Sequence, residues 1–191
     1  MSDIFNFILV MVSLVLAIGV THLVNGVASL IRLRGRIRLE PLTLMWAASL
    51  FLVAAIYWWS LWDLRGAQWR FHHFFYLLLA PTLLHVAASL LVSAEPAARH
   101  DDMLAEFERI RVPFMIVMCT FSVLVAYDGW IVGAERLWTP YRPVQLWTIG
   151  LYAVGAAVGR VAAQRAIAAL VLTTYIVAGF FFRFMPGAFG S

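Results

Sequence analysis

The sequence contains no lysine, a single cysteine and few charged residues. Because all fourteen basic residues are arginine, a lysine Schiff base to retinal or pyridoxal phosphate is excluded, as is a P-loop. Cys119 alone cannot form an intrachain disulfide, a CxxC redox pair or a four-cysteine metal site. The GxSxG and HExxH motifs are missing too. We therefore predict no catalytic residue, no metal and no cofactor, which favours a protein that is not an enzyme.

Apolar residues dominate the composition. Hydrophobic residues make up 63% of the chain and charged residues 13%, which is too little polar surface to coat a water-soluble globule. Long apolar runs could instead cross a bilayer repeatedly. The net charge of +4 is spread over short joints, so we attribute it to membrane orientation and expect no nucleic-acid partner. The sequence thus predicts an all-α, polytopic integral membrane protein.

Six apolar runs are separated by short polar joints. We place transmembrane helices at about 4–31, 42–62, 71–93, 113–133, 144–158 and 166–182, in a single transmembrane domain over residues 1–191. The N-terminal segment has no basic region and no small-residue cleavage site, so we interpret the first run as a retained helix. A helix over 144–182 would far exceed the bilayer thickness, which predicts a break within 159–165.

The arginines also indicate an orientation. Nine of the fourteen fall in the joints after the first, third and fifth spans. Because cytoplasmic joints are rich in arginine, both termini are predicted outside the cytoplasm, in a bacterial-type inner membrane. Apolar residues at helical spacing in the longest joint predict a short cytoplasmic amphipathic helix over 96–111. This helix could lie on the lipid headgroups or bind a protein partner.

Two histidines lie inside predicted spans. His22 shares one face of the first span with small residues, and Asn25 lies beside it. His85 and Ser89 belong to a polar stripe on the third span. Since these two spans run in the same direction, the histidines lie at comparable depth and could face each other or a shared cavity. Asp128 is the remaining acid within a span, close to the outer end of the fourth.

Three interpretations of the histidine pair remain open. In the first, the polar side chains only connect helices by hydrogen bonds. In the second, they line a path that binds or relays an ion or a proton, because imidazole titrates near neutrality. In the third, two opposed imidazoles hold a b-type haem in an electron carrier.

From these residues we predict a small channel or transporter for an ion or small solute. His22, Asn25, His85 and Ser89 would line its path, and Asp128 would lie near the outer mouth. An accessory or scaffold subunit of a larger membrane complex is the alternative. The GxxxG formed by Gly155 and Gly159 favours close helix packing and predicts a homo-oligomer through that face.

One proline interrupts the third span. Pro81 lacks an N–H group, so the carbonyl of Leu77, four residues back, should lose its helical partner. A kink at this position would open space beside His85.

Overall fold

The structure is a computed structural model that describes residues 3–33, 40–92, 103–133, 137–139 and 141–182. Within these residues the chain is all-helical, as predicted, with six α-helices and no strand. In chain order the helices are α1 (Asp3–Arg32), α2 (Pro41–Ser60), α3 (Phe71–Leu91), α4 (Met103–Ile131), α5 (Arg142–Ala157) and α6 (Val161–Phe182). A short 3-10 turn (Leu61–Leu64) extends α2.

Five of the described helices are long and apolar enough to cross a membrane, namely all except α5. With 16 residues α5 is the shortest of the six. At about 1.5 Å per residue its length is about 24 Å, less than the roughly 30 Å of a hydrocarbon core. The structure therefore agrees with a helical membrane protein, while the predicted number of six spans is not confirmed.

The predicted break between the last two helices is confirmed. α5 ends at Ala157 and α6 begins at Val161, so Gly159 and Arg160 lie in the joint. The two helices run antiparallel. Near this joint Gln164 reaches the carbonyl of Gly155, and further along Trp147 of α5 donates to Thr174 of α6.

The start of α4 differs from the sequence interpretation. Residues 103–111 form its first turns instead of a separate surface helix, and residues 96–102 lie outside the described residues. Met103 and Phe107 are buried in the bundle, and the ring of Phe107 contacts Phe114. The described part of the predicted amphipathic helix thus places its apolar side against the protein itself.

α2 lies at the centre, packed against α1, α3, α4 and α6, and the ring of its Trp46 also contacts Tyr152 of α5. Half of its most apolar window is buried, compared with 28% for α1. α1 packs mainly on α3, and the two helices run parallel. Its buried residues recur every three or four positions, as in a packed helix seam: Phe5, Ile8, Val12, Leu16, Gly19, Leu23, Gly26 and Leu30.

Two glycines of this seam bring α1 and α3 very close together. A Cβ atom on Gly19 would lie 3.2 Å from the Cα atom of His85. A Cβ atom on Gly26 would lie 2.5 Å from a methyl group of Val92, closer than real contacts allow. The missing side chains therefore set the distance between the two helices, as small residues do in membrane interfaces.

The central helix also supports α3 at its proline. Pro81 is buried inside α3, which continues through it. The buried hydroxyl of Tyr57 on α2 donates to the carbonyl of Leu77, at 3.0 Å. A side chain of a neighbouring helix thus bonds the carbonyl that the sequence predicts to be without a helical partner.

Candidate polar site between α1 and α3

The two intramembrane histidines meet in the structure. The ring centroids of His22 and His85 are 5.7 Å apart, with an edge-to-face angle of 77°. The Nε2 atom of His22 lies 3.1 Å from the carbonyl oxygen of Val92, at the end of α3. Because a carbonyl can only accept, Nε2 carries the proton and donates it. In a neutral His22 ring, Nδ1 is then left as the acceptor.

His85 lacks a hydrogen bond of the kind that holds His22. Its Nδ1 atom is buried and has no hydrogen-bond partner among the described residues. A buried polar nitrogen without a partner loses about 1–3 kcal/mol of hydrogen bonding relative to water. The site therefore contains one imidazole with a fixed proton and a neighbouring imidazole with an unused nitrogen, both on half-buried side chains.

The histidine pair faces away from the centre of the bundle. On α1, Ser13 accepts a hydrogen bond from Trp58 of α2, and Val20 lines a small apolar cavity shared with α2. At helical periodicity His22 lies on the opposite flank of the α1 seam. The pair thus occupies the outer groove between α1 and α3.

The other predicted path residues of these two helices lie about one turn beyond the histidines, on the outer surface of each helix. Asn25 and Ser89 are both exposed on the surface of the bundle. Thr82, one turn before His85 on α3, is exposed as well, and its hydroxyl donates to the carbonyl of Leu78 in its own helix. A strip of polar side chains therefore runs along the outside of a helix pair that is otherwise apolar on its surface.

Asp128 lies apart from this strip. It is half-buried on α4, and its carboxylate accepts the N–H of Gly129 at 2.6 Å. It interacts electrostatically with Tyr76, and Tyr76 lies on the side of α3 that bonds to Leu124 of α4. His85 lies on the side that contacts α1. Because α3 stands between them, the structure does not bring Asp128 together with the histidines.

The spacing of the helices disfavours the haem interpretation. A haem needs a flat slot between two imidazoles whose free nitrogens both point at the iron. The backbones of α1 and α3 touch at Gly19 and His85, and Nε2 of His22 is bonded to a carbonyl. This geometry offers no slot for a macrocycle between the two rings.

A second polar cluster, which the sequence analysis did not assign, joins α4, α5 and α6. Nη1 of Arg111 donates to the carbonyls of Gly155, Ala156 and Val158, at 2.8, 2.7 and 3.2 Å. Nε2 of Gln164 donates to the Gly155 carbonyl at 2.8 Å and also to that of Val158. The last carbonyls of a helix lack internal partners and attract cations. The cluster therefore caps α5.

The glycines of the GxxxG pattern take part in this same region. Gly155 is buried, and a Cβ atom on it would lie 2.9 Å from the sulfur of Met115 on α4. Gly159 is exposed and lies beside the guanidinium of Arg111. Within one copy of the chain α4 thus covers Gly155, while Gly159 remains exposed.

Comparison with models of known protein families, with curated proteins and with solved structures finds no match. Function must therefore be inferred from the arrangement of the side chains. The most unusual arrangement is the contact between His22 and His85, because ionisable groups within membrane helices are costly and generally serve function.

Proposed function

We propose that this protein is a small inner-membrane channel or transporter for an ion or small solute, with its path along the groove between α1 and α3. The observation that carries the proposal is the pair of touching, half-buried imidazoles in that groove. Asn25 and Ser89 extend the polar lining. Asp128, on the far side of α3, would act only near the outer end.

The chemistry of the pair suits a proton or a small cation. An imidazole nitrogen that carries no proton can bind a proton or a cation. The proton on Nε2 of His22 is held by the carbonyl of Val92, while Nδ1 of His85 has no partner within the described part of the chain. In the tautomer of His85 that carries its proton on Nε2, a cation bound at Nδ1 would give the lone pair of that nitrogen a partner.

The path would be closed by a second copy of the chain. Exposed Asn25 and Ser89 would otherwise face lipid, where polar groups without partners are unfavourable. Two copies that pack these faces together would enclose the polar strip and let its side chains hydrogen-bond across the interface. In this arrangement the oligomer uses the α1/α3 face, since α4 covers Gly155.

All six helices would cross the membrane in this proposal, with both termini outside the cytoplasm. α5 runs antiparallel to α4, from the stacking of Arg142 on Tyr127 at one end to the Arg111 cap at the other. It therefore traverses most of the bundle despite its length. The arginine distribution supports this orientation.

An accessory or scaffold subunit is the second candidate. The same exposed strip, with Asn25 and Ser89, would suit the face of a different membrane protein that supplies matching polar groups. In that case the purified chain would not carry a flux by itself.

Flux measurements on proteoliposomes test the proposal. The purified chain is reconstituted, and entry of protons, potassium and glycerol is followed separately with entrapped dyes and by osmotic swelling. We expect a flux of at least one of these above that of empty liposomes. His22→Gln and His85→Gln should each reduce it, because glutamine keeps the polarity but cannot exchange a proton near neutral pH.

The control is His72→Gln, since His72 is exposed at the opposite end of α3 and should leave the flux unchanged. A chain that passes none of the three species would contradict transport and leave the accessory role. A flux that neither substitution in the pair alters would rule out the path between α1 and α3.

A further inference from the structure

A second candidate site lies on the other side of the central helix. A cavity of about 90 Å³, open on one side, lies between α2, α4, α5 and α6 in the half of the bundle where α5 begins. One water molecule needs about 10–15 Å³ of such space, so the cavity admits a polar head of a few heavy atoms with the adjoining carbons, and the rest of a longer ligand would extend through the opening. The proposed path between α1 and α3 does not include this cavity.

The lining of this cavity is mainly apolar and carries no charge. Val53, Ile56, Phe121, Val125 and Ala178 are among its walls, and none of the lining residues is acidic or basic. An ion in such surroundings would be desolvated without a counter-charge, which is strongly unfavourable. The lining therefore favours a neutral ligand with a large apolar part.

A few polar groups in the wall indicate which polar group the ligand carries. The hydroxyl of Ser60 donates to the carbonyl of Tyr57, and that of Thr148 donates to the carbonyl of Gln145. Since each hydroxyl has a single proton, both oxygens can only accept from a ligand. Oε1 of Gln145 accepts from Arg142, at 3.0 Å, so the amide of Gln145 has N–H donors left.

A free hydroxyl group matches this set of partners. It donates one hydrogen bond, which Ser60 or Thr148 can accept, and it accepts one, which the Gln145 amide can donate. A ketone or an ester could use only the Gln145 amide, and a carboxylate would also bring a charge.

We propose that this cavity binds a neutral lipid with a free hydroxyl group, such as a long-chain alcohol. The cavity lies between α2, α4 and α6, three of the helices that can span a membrane, so a ligand of this class would enter from the bilayer in which it dissolves. The apolar chain packs against Val53 and Phe121, and the hydroxyl bonds to Thr148 and Gln145.

Photolabelling of the purified full-length chain tests this assignment. The probes are dodecanol with a diazirine on its chain and the corresponding dodecane and dodecanoate, and the labelled peptides are mapped by mass spectrometry. We expect the alcohol to label cavity residues about fivefold more than the hydrocarbon, the factor that about one net hydrogen bond supplies. Unlabelled dodecanol should compete, and dodecanoate should compete poorly.

Three variants sharpen the test. Ala178→Phe fills the cavity and should abolish labelling there, whereas Val177→Phe places the same ring on the exposed side of α6 and should not. Thr148→Val removes one acceptor with little change in shape and should reduce the preference for the alcohol.

Equal labelling by alcohol and hydrocarbon would show that the cavity only holds acyl chains and would overturn the proposal. So would undiminished labelling of Ala178→Phe. If Ala178→Phe does not fold, the competition measurements on the unmodified chain decide alone. None of these results depends on transport, so the two proposals fail independently.

Discussion

The bond between Tyr57 and Leu77 allows a direct test of how α3 tolerates its proline. Pro81 removes the N–H that would bond to the Leu77 carbonyl, and the Tyr57 hydroxyl donates to that carbonyl instead, at 3.0 Å. Tyr57→Phe keeps the ring and deletes the donor. In this variant the buried carbonyl has neither its helical partner nor the hydroxyl.

The expected cost follows from that burial. Tyr57 is 1% exposed and Leu77 is also 1% exposed, so water cannot easily replace the hydroxyl. Leaving a buried acceptor unsatisfied costs about 1–3 kcal/mol, although hydrogen bonds between membrane helices average only about 0.6 kcal/mol. We expect Tyr57→Phe to lower the free energy of unfolding by about 1–2 kcal/mol.

A double-mutant cycle isolates this effect. Pro81→Ala restores the N–H at position 81, so Tyr57→Phe should cost about 1 kcal/mol less in the Pro81→Ala background than in the unmodified chain. The measurement is unfolding by SDS in mixed micelles, followed by circular dichroism.

Tyr76→Phe is the matched control for the cycle. The hydroxyl of Tyr76 also donates to a backbone carbonyl, that of Leu124, at 2.7 Å. Residue 128 is an aspartate with its own N–H, so this carbonyl keeps a helical partner. Tyr76→Phe should therefore cost the same with and without Pro81. Equal costs of Tyr57→Phe in both backgrounds would refute the reasoning.

Two further predictions concern the helix contacts. Gly26→Ala should destabilise the fold by about 1–3 kcal/mol, because its Cβ atom would lie 2.5 Å from Val92. Gly150→Ala is the control in the same SDS titration. Since Gly150 has open space around it, this variant should be neutral or stabilise α5 by up to about 1 kcal/mol. Arg111→Gln should lower the free energy of unfolding by about 1.5–3 kcal/mol, because it removes the charged donor at the end of α5. Arg109→Gln, on a side chain that is 68% exposed, should change stability by less than about 0.5 kcal/mol. Equal effects of the two substitutions would argue against the cap.

Most of the helices could be predicted from the sequence because apolar length is a strong local signal. Runs of this composition have to form helices in a bilayer, since only internal hydrogen bonds satisfy the backbone there. The break at Gly159 could be located for a related reason, as a single helix from 144 to 182 would exceed the membrane thickness. The number of spans was harder to predict from the sequence. The last carbonyls of α5 bond to Arg111 and Gln164, which belong to other helices, so the end of α5 does not follow from its own residues.

The side-chain partners within the bundle could be predicted only in part. The equal depth of His22 and His85 follows from the direction of their helices, but their contact depends on Gly19, which lets the backbones touch. The separation of Asp128 from them depends on which side of α3 faces α4, and a pattern along one helix cannot show this. The cavity is formed by α2 together with the consecutive helices α4, α5 and α6, so no pattern along a single helix marks it.

The distribution of polar residues along α1 is consistent with the proposed pairing of two copies of the chain. Its outward face is apolar from Phe7 to Ile18, with Phe7, Leu14 and Ile18 more than half exposed. Further along, Thr21 and Asn25 are exposed beside the histidine pair. Lipid would cover the first part well and leave the second without hydrogen-bond partners. In a two-fold pair of copies the same faces meet, so the polar parts would lie against each other around the axis and both histidine pairs would line one shared path.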